Sequence, residues 1–583
     1  MKRFLVILAL TLTQFACAPE PDQKPAEPAA LLKTGVDQGP QWFRNTRAAF
    51  YTQDQGSRLM PLRWFRALKQ ENGQPFMADN LSRYGYLENK ENAGSSLPVG
   101  FTTNGPVGNE SIGMNCAACH TREIEVGIKV YRIDGGPAIA DFQSFLRDLD
   151  KAVGKVAKDP VVFNDFAAAV LEGNQSTAEI ALLRQKLKTW YLPFHTIVDR
   201  ALPQSPWGPG RLDAVGMIFN RLTGLDIGPA WKLHLIPENI RRASAPTRYP
   251  FIWNAAIQDR TQWPGFAANG NDLLGLARNI GEVIGVFAEF YPQPDPNKVL
   301  KIDYSSNNSA NTEGLMALED LIKRIGAPRY QWPVDQALAK AGEEIFNWPT
   351  SRGSGCADCH GIRLGKDRLT GNTTWVTPLQ DVGTDSREYD ILKWTAKTGV
   401  LNGARIPVIG KALKPVDSSF SVLGLAVEGT ILQRLRTVGR FAMASDEGSN
   451  PESLSISTSH ERADSLKGAF TPEPATDKPF KYEARVMQGI WAVAPYLHNG
   501  SVPTLADLLE PVSNRPKSFQ IGPKYDPTDK VGLAAEQTRF PDFTLNTTDC
   551  SQRNSGVSNC GHEFGVGLKP EEKKALLEYL KTL

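Results

Sequence analysis

The chain has 583 residues, enough for two domains of ordinary size, and its 65 Lys and Arg stand against 63 Asp and Glu for a formal charge of +2. No basic run or patch stands out of that balance, so nucleic acid is not an expected partner. Past the first dozen residues no stretch approaches the apolar length of a transmembrane helix.

The chain opens with Met1-Lys2-Arg3 and an apolar run from Phe4 to Leu12, closing at Gln14-Phe15-Ala16-Cys17. Residues 1–17 therefore read as a secretory signal, too short to span a bilayer. Cys17 has two fates. Lipidation is the favoured expectation, although Gln14 and Phe15 are poor neighbours for it. Cleavage at Ala16-Cys17-Ala18 is the alternative, with Pro19 unfavourably placed after the cut. The expected location is periplasmic or secreted, with an outer-membrane lipoprotein as the anchored form. Residues 18–40, rich in Pro, Ala, Glu and Gln, read as a flexible linker.

Residues 41–115 are loop-rich, and Leu97-Pro-Val-Gly-Phe101 and Gly113-Met-Asn115 bring glycines where backbone packs closely. Next comes Cys116-Ala-Ala-Cys119-His120. C-x-x-C-H is the attachment signature of c-type haem: each sulfur forms a thioether to one vinyl group, and the histidine ligates the iron. Zinc would need a second C-x-x-C or an H-x-x-x-H nearby, and the sequence has neither. Ile124, Val126, Ile128 and Val130 then alternate as in a strand or ribbon. Gly135-Gly136-Pro137 opens a helix with Ile139, Phe142, Leu146, Leu149 and Val153 on one face, and residues 160–200 add more helix. Two stretches look less like bulk core: Ser205 to Asp213, and the aromatic, proline-punctuated run from Tyr249 through Trp253 to Trp263 and Phe266. Ordinary loop packing and a pocket wall both account for the second. A helix is expected over Leu273–Phe290, a polar loop over 302–313, and a helix near Leu315–Ile325, with a domain boundary near 330.

The second half repeats the signature at Cys356-Ala-Asp-Cys359-His360. Asp335 caps an expected helix through Phe346, and Gly342 allows a close crossing with its counterpart, the helix from Pro570 carrying Leu576, Leu580 and Leu583. Between them lies an insertion near 400–480. Cys550 and Cys560, close together in a polar loop, are expected to pair as a disulfide, since export favours oxidised thiols. The fold class expected is mainly α: two elaborated cytochrome c-like domains, 41–330 and 331–583, with long loops and little strand.

Ala494-Pro-Tyr-Leu-His498-Asn-Gly-Ser-Val-Pro503 resembles the di-haem cytochrome c peroxidase superfamily. Tyr482-Glu-Ala-Arg485, Arg515-Pro-Lys517, Asp526-Pro527, Gly561-His562-Glu-Phe-Gly565, Gln262-Trp263 and Leu276-Ala-Arg-Asn-Ile-Gly-Glu282 resemble the rubber oxygenase and di-haem fatty-acid dioxygenase branch. The resemblance implies two covalently bound haem c groups, the second bis-histidine. His562, in a loop that a Cys550–Cys560 bridge would hold, is preferred over His498, Met443 and Met487 as its second ligand; His498 is assigned to the cofactor's surroundings at the domain interface, bonded to a haem propionate or to backbone. His120 and His360 ligate on the other side. No histidine follows His120 until His195, which fits an open first iron. By the same resemblance Trp253, Trp263 and Phe266 form its apolar wall, with Arg278 and Glu282 either supporting it or merely polar helix positions.

The resemblance implies dioxygen activation at the first haem and attack on an apolar unsaturated substrate. Hydrogen peroxide reduction, with Glu282 as proton carrier, is the alternative enzyme. A non-catalytic electron carrier is the third reading. A small electron-donor protein is a compatible partner, and an inter-domain calcium is left open.

Overall fold

The computed structural model describes residues 32–91, 97–173, 175–298, 300–367, 370–405, 411–444 and 480–583, with the side chains of 32, 33 and 435–444 excepted. The signal, Cys17, the linker through residue 31 and His460 lie outside the described residues, as does the side chain of Met443. The chain is mostly helical with small sheets. Ten described helices have eight or more residues: α1 Arg44–Thr52, α2 Phe142–Lys158, α3 Pro160–Leu171, α4 Thr177–Ala201, α5 Ala214–Arg221, α6 Asp272–Gly285, α7 Thr312–Ile322, α8 Gln336–Phe346, α9 Ser419–Ala444 and α10 Pro570–Thr582. None is long and apolar enough to cross a membrane.

The alternating run after His120 is a hairpin rather than one strand. β2 (Thr121–Val126) pairs antiparallel with β3 (Lys129–Asp134), and β1 (Leu32–Gly35) lies parallel to β3 on the other side. Gly127, at φ +59°, makes the turn, which leaves Ile128 exposed. The next helix starts three residues later than its apolar spacing suggests. Asp141 caps α2 by accepting the Ser144 N–H, so Ile139 precedes the helix. Similarly α6 stops at Gly285 because Phe287 takes a left-handed φ of +65°, which no α-helix continues. The insertion contains α9, which packs on α6.

Asp335 caps α8 as expected, accepting from the Ala337 and Leu338 N–H groups. Helices α8 and α10 cross at Gly342, where a Cβ would stand 2.0 Å from the Ala575 carbonyl oxygen. Gly100, at φ +76°, plays the matching part in the first half: a Cβ there would lie 2.1 Å from the Ala118 nitrogen, inside the first C-x-x-C turn. Three apolar clusters form the core. One joins α2–α4, another surrounds α6 and α9, and the third continues across residue 330, taking Phe251, Trp253 and Ile322 together with Trp491, Leu505 and Leu576.

Candidate haem-binding sites

Each signature sits on a single short helical turn. Asn115 caps Cys116–Cys119 by accepting the Ala117 N–H, and Gly355 at φ +67° precedes Cys356–His360. One turn brings the two sulfurs to one side and turns the following histidine inward. Both histidines are then fixed in the same way. His120 Nδ1 is 2.9 Å from the Pro250 carbonyl oxygen, and His360 Nδ1 is 2.7 Å from that of Arg485. A carbonyl can only accept, so each Nδ1 carries the proton and donates it, which leaves Nε2 as the lone-pair nitrogen that binds a metal.

The first cavity holds about 1310 Å³ free of protein atoms, part of it open to solvent, between Cys116, Cys119, His120 and helices α5 and α6. Its walls are largely apolar, with Phe142, Leu212, Ile218, Ile252 and Val286 prominent. Among the described residues no imidazole other than His120 lines it; Met114 and Met217 are its thioethers. Glu282 also lines it, and the Gln262 amide donates to Glu282 Oε1 at 2.8 Å. Gln262 holds a left-handed φ of +68°, a strained conformation for a side-chain-bearing residue and of the kind that gathers at functional sites. Burial raises the Glu282 carboxyl above the ordinary carboxylate range, against the opposing effect of the Arg278 guanidinium. Arg278 is itself tied to Glu319 and Asn269 at 2.6 Å each, so it braces the wall.

The second cavity, of about 1260 Å³ on the same measure, lies between the Cys356–His360 turn, residues 482–498, the His562 loop and α10. His360 and His562 face each other with ring centres 6.1 Å apart and planes tilted by 49°. Metal–imidazole bonds of about 2.0 Å each fit one metal atom into that gap. The Cys550–Cys560 disulfide is present two residues before His562. His498 lines this cavity too, stacked on Tyr482 at 3.8 Å, and its carbonyl accepts the Arg248 N–H. Met487 also lines it. Desolvation pushes His120 down to about 4, His562 and His498 to about 3, and lowers His360, so all four are neutral at pH 7, the form that ligates iron.

Both cavities fit a haem on the evidence of their own polar atoms. Beyond the sulfurs and imidazoles, Arg248 Nη1 at the second cavity is buried without a hydrogen-bond partner, and Arg485 Nε at the partition between the two makes no hydrogen bond, with only the Glu483 carboxylate 3.4 Å away. Cationic N–H groups stranded beside apolar cavities suit a flat apolar ligand with acidic side arms.

The expected aromatic wall of the first site is not found there. Trp263 lines the second cavity, because its indole N–H donates to the Arg248 carbonyl and the Arg248 guanidinium lies over its ring at 4.8 Å. Trp253 stacks on Phe251 and donates to the Gln488 carbonyl, and Phe266 packs edge-on against Phe420 below α9. Neither Trp253 nor Phe266 lines either cavity. His195 pairs with Asp150 on α2 and His234 stacks on Tyr291, both away from the two sites. Among the described residues no group of three or more His, Cys, Asp and Glu side chains is placed to hold a metal ion, so calcium has no such cluster here.

Sequence reasoning gave no role to Gln262, Arg248, Tyr482, Glu483 or Arg485. The signal for the last three was the Tyr482-Glu-Ala-Arg485 run, legible as a resemblance but not as a contact. A profile of RoxA-like, cytochrome c-like proteins matches residues 481–520, which begin at this run and include His498. A cytochrome c-like domain implies haem c. Over 605 aligned positions the chain is 28% identical to uncharacterized protein y4iJ of Sinorhizobium fredii (strain NBRC 101917 / NGR234), covering 93% of this chain and 92% of the relative. With uncharacterized protein y4iM of the same strain it shares 25% over 407 positions, covering 67% of this chain and 75% of the relative.

Proposed function

We propose that the protein is an exported di-haem oxidoreductase that reduces hydrogen peroxide in the first cavity and takes in electrons through the second. The observation that carries this reading is the Gln262–Glu282 pair. A porphyrin accounts for apolar walls in both cavities, so those walls say nothing about the substrate. It does not account for a carboxyl group held inside the first cavity by an amide on a strained backbone.

When bound, haem supplies the redox-active iron of each centre, held by His120 in the first and by His360 and His562 in the second. The overall change is H2O2 plus two electrons and two protons to two waters, with a small one-electron donor protein as reductant. That balance requires protons at the oxygen atoms, whereas adding dioxygen across a carbon–carbon double bond requires none. Glu282 is the group that moves them: its carboxylate takes the proton from one peroxide oxygen and delivers it to the other, which leaves as water. Gln262 fixes the carboxylate by donating to Oε1, and burial raises the affinity of Glu282 for protons, which suits a group that must both take and give one. Arg278 and Glu319 keep α6 in place behind it.

Dioxygen attack on an apolar unsaturated substrate is the second reading, favoured by the RoxA-like match and by the resemblance to the rubber oxygenases. Two assays decide between them. Peroxide-dependent oxidation of a reduced small cytochrome, lost in Glu282→Gln, supports the first. Oxygen uptake with polyisoprene or an unsaturated fatty acid in the absence of peroxide, unaffected by Glu282→Gln, overturns it. Two low-spin irons that bind neither cyanide nor carbon monoxide leave only an electron carrier, in which Met114 or Met217 closes the first iron.

A further inference from the structure

The two cavities share a wall, and that wall contains an ion pair. Glu483 and Arg485 line both cavities. The Glu483 carboxylate is 3.4 Å from Arg485 Nε, and both side chains are buried. Arg485 reaches towards both histidines at once. Its own carbonyl accepts the His360 Nδ1–H at 2.7 Å. Its Nη1 donates at 2.6 Å to the carbonyl of Phe251, next in the chain to Pro250, whose carbonyl accepts the His120 Nδ1–H. Gln258 fixes the other arm, its Oε1 accepting from Nη2 at 2.6 Å, and the guanidinium lies over the Phe251 ring at 4.2 Å.

We infer that Arg485 is a positioning residue common to both haem centres, one buried cation that ties their histidine-bearing segments together and raises the reduction potential of both irons. The inference rests on the di-haem reading above. Its physical basis is charge. Ferric haem carries one positive charge more than ferrous haem, so a nearby cation favours the ferrous form. A charge buried between two apolar cavities is screened far less than one at the surface. Glu483 opposes the effect from the same wall. Arg248 and Arg278 provide the contrast, since the first lines only the second cavity and the other only the first.

The experiment is a potentiometric titration of the holoprotein at pH 8, followed optically and by EPR, with haem counted for every variant. Arg485→Gln is expected to lower both midpoint potentials together, and Arg485→Lys, which keeps the charge, to restore them most of the way. Arg248→Gln lowers the second alone and Arg278→Gln the first alone. Loss of packing by itself does not produce this pattern of signs. Should Arg485→Gln fail to fold, the near-isosteric Glu483→Gln decides: both potentials rise if the wall acts on both centres, at a pH above the value of about 7 to which burial raises this carboxyl. If these variants keep two haems and unaltered axial ligation but move only one potential, or neither, the inference is overturned. If wild type carries fewer than two covalent haems, the di-haem reading itself fails.

Discussion

In both halves of the molecule a histidine follows two cysteines on one helical turn, and a backbone carbonyl more than a hundred residues away fixes its ring: Pro250 for His120, Arg485 for His360. Up to that point the two sites are copies. They part on the opposite face. The second cavity presents His562 across from His360, on a loop that the Cys550–Cys560 bridge pins down. The first presents Glu282 and Gln262 and, among the described residues, no second imidazole. On the function proposed above, one attachment device serves two chemistries, and the choice between them rests with whatever faces the histidine. A second strong ligand makes an electron-transfer centre; a site without one leaves room for a small oxidant beside a proton-moving group.

The largest test of the shared device is to remove it from one half at a time. Cys116→Ala/Cys119→Ala and Cys356→Ala/Cys359→Ala should each leave one haem that resists acid–acetone extraction, measured by intact mass. Extraction of all haem from wild type sinks the comparison. The next test breaks the difference. His562→Ala should convert the low-spin EPR signal of the second centre to high-spin and leave the first unchanged.

Glu282→Gln is the mirror of that change. It should cost roughly a hundred- to ten-thousandfold in peroxide turnover, the usual weight of a positioned acid–base group, with both haem spectra preserved. The carboxylate is the form that accepts the peroxide proton. Because burial raises its pKa, wild-type kcat/KM should climb with pH through a limb above the ordinary carboxylate range, and that limb should vanish in the variant. Smaller effects sharpen the comparison through stability. Cys550→Ala/Cys560→Ala should cost about 2–4 kcal/mol by denaturant titration, because the bridge constrains the unfolded chain, and should broaden the second centre's signal alone. Gly342→Ala pushes a methyl into the Ala575 backbone and should cost about 1–3 kcal/mol, again felt in the second half only.

What was legible in the sequence was local. The C-x-x-C-H turns, the Asp335 cap, the close helix crossing at Gly342 and the nearby pair Cys550 and Cys560 each depend on residues a few positions apart or on backbone freedom. The sites themselves depend on contacts at long range. His120 meets Pro250 across 130 positions and His360 meets Arg485 across 125, and both partners are backbone oxygens, which every residue type carries. No side-chain pattern can mark such a partner. Trp263 shows the same limit from the other direction. The resemblance marked it as a wall residue of the first site, but the hydrogen bond to the Arg248 carbonyl decides which cavity it walls. Glu282 faces its cavity because of where α6 lies, and the partner that holds it, Gln262, sits outside that helix.

The second cavity also constrains the order in which the protein can be made. Its cysteines are at 356 and 359, whereas the parts that close it, His562 and the α10 residues Leu576 and Leu580, come some two hundred positions later. At ~5–20 residues per second, about 10–40 s separate synthesis of the thiols from synthesis of His562. Once α10 has crossed α8 at Gly342, with no side chain between them to give way, Leu576 and Leu580 wall one side of the cavity, while Cys356 and Cys359 stay partly exposed. The helix that walls this cavity is therefore the last of its parts to be made, and this half of the fold is completed long after its two thiols.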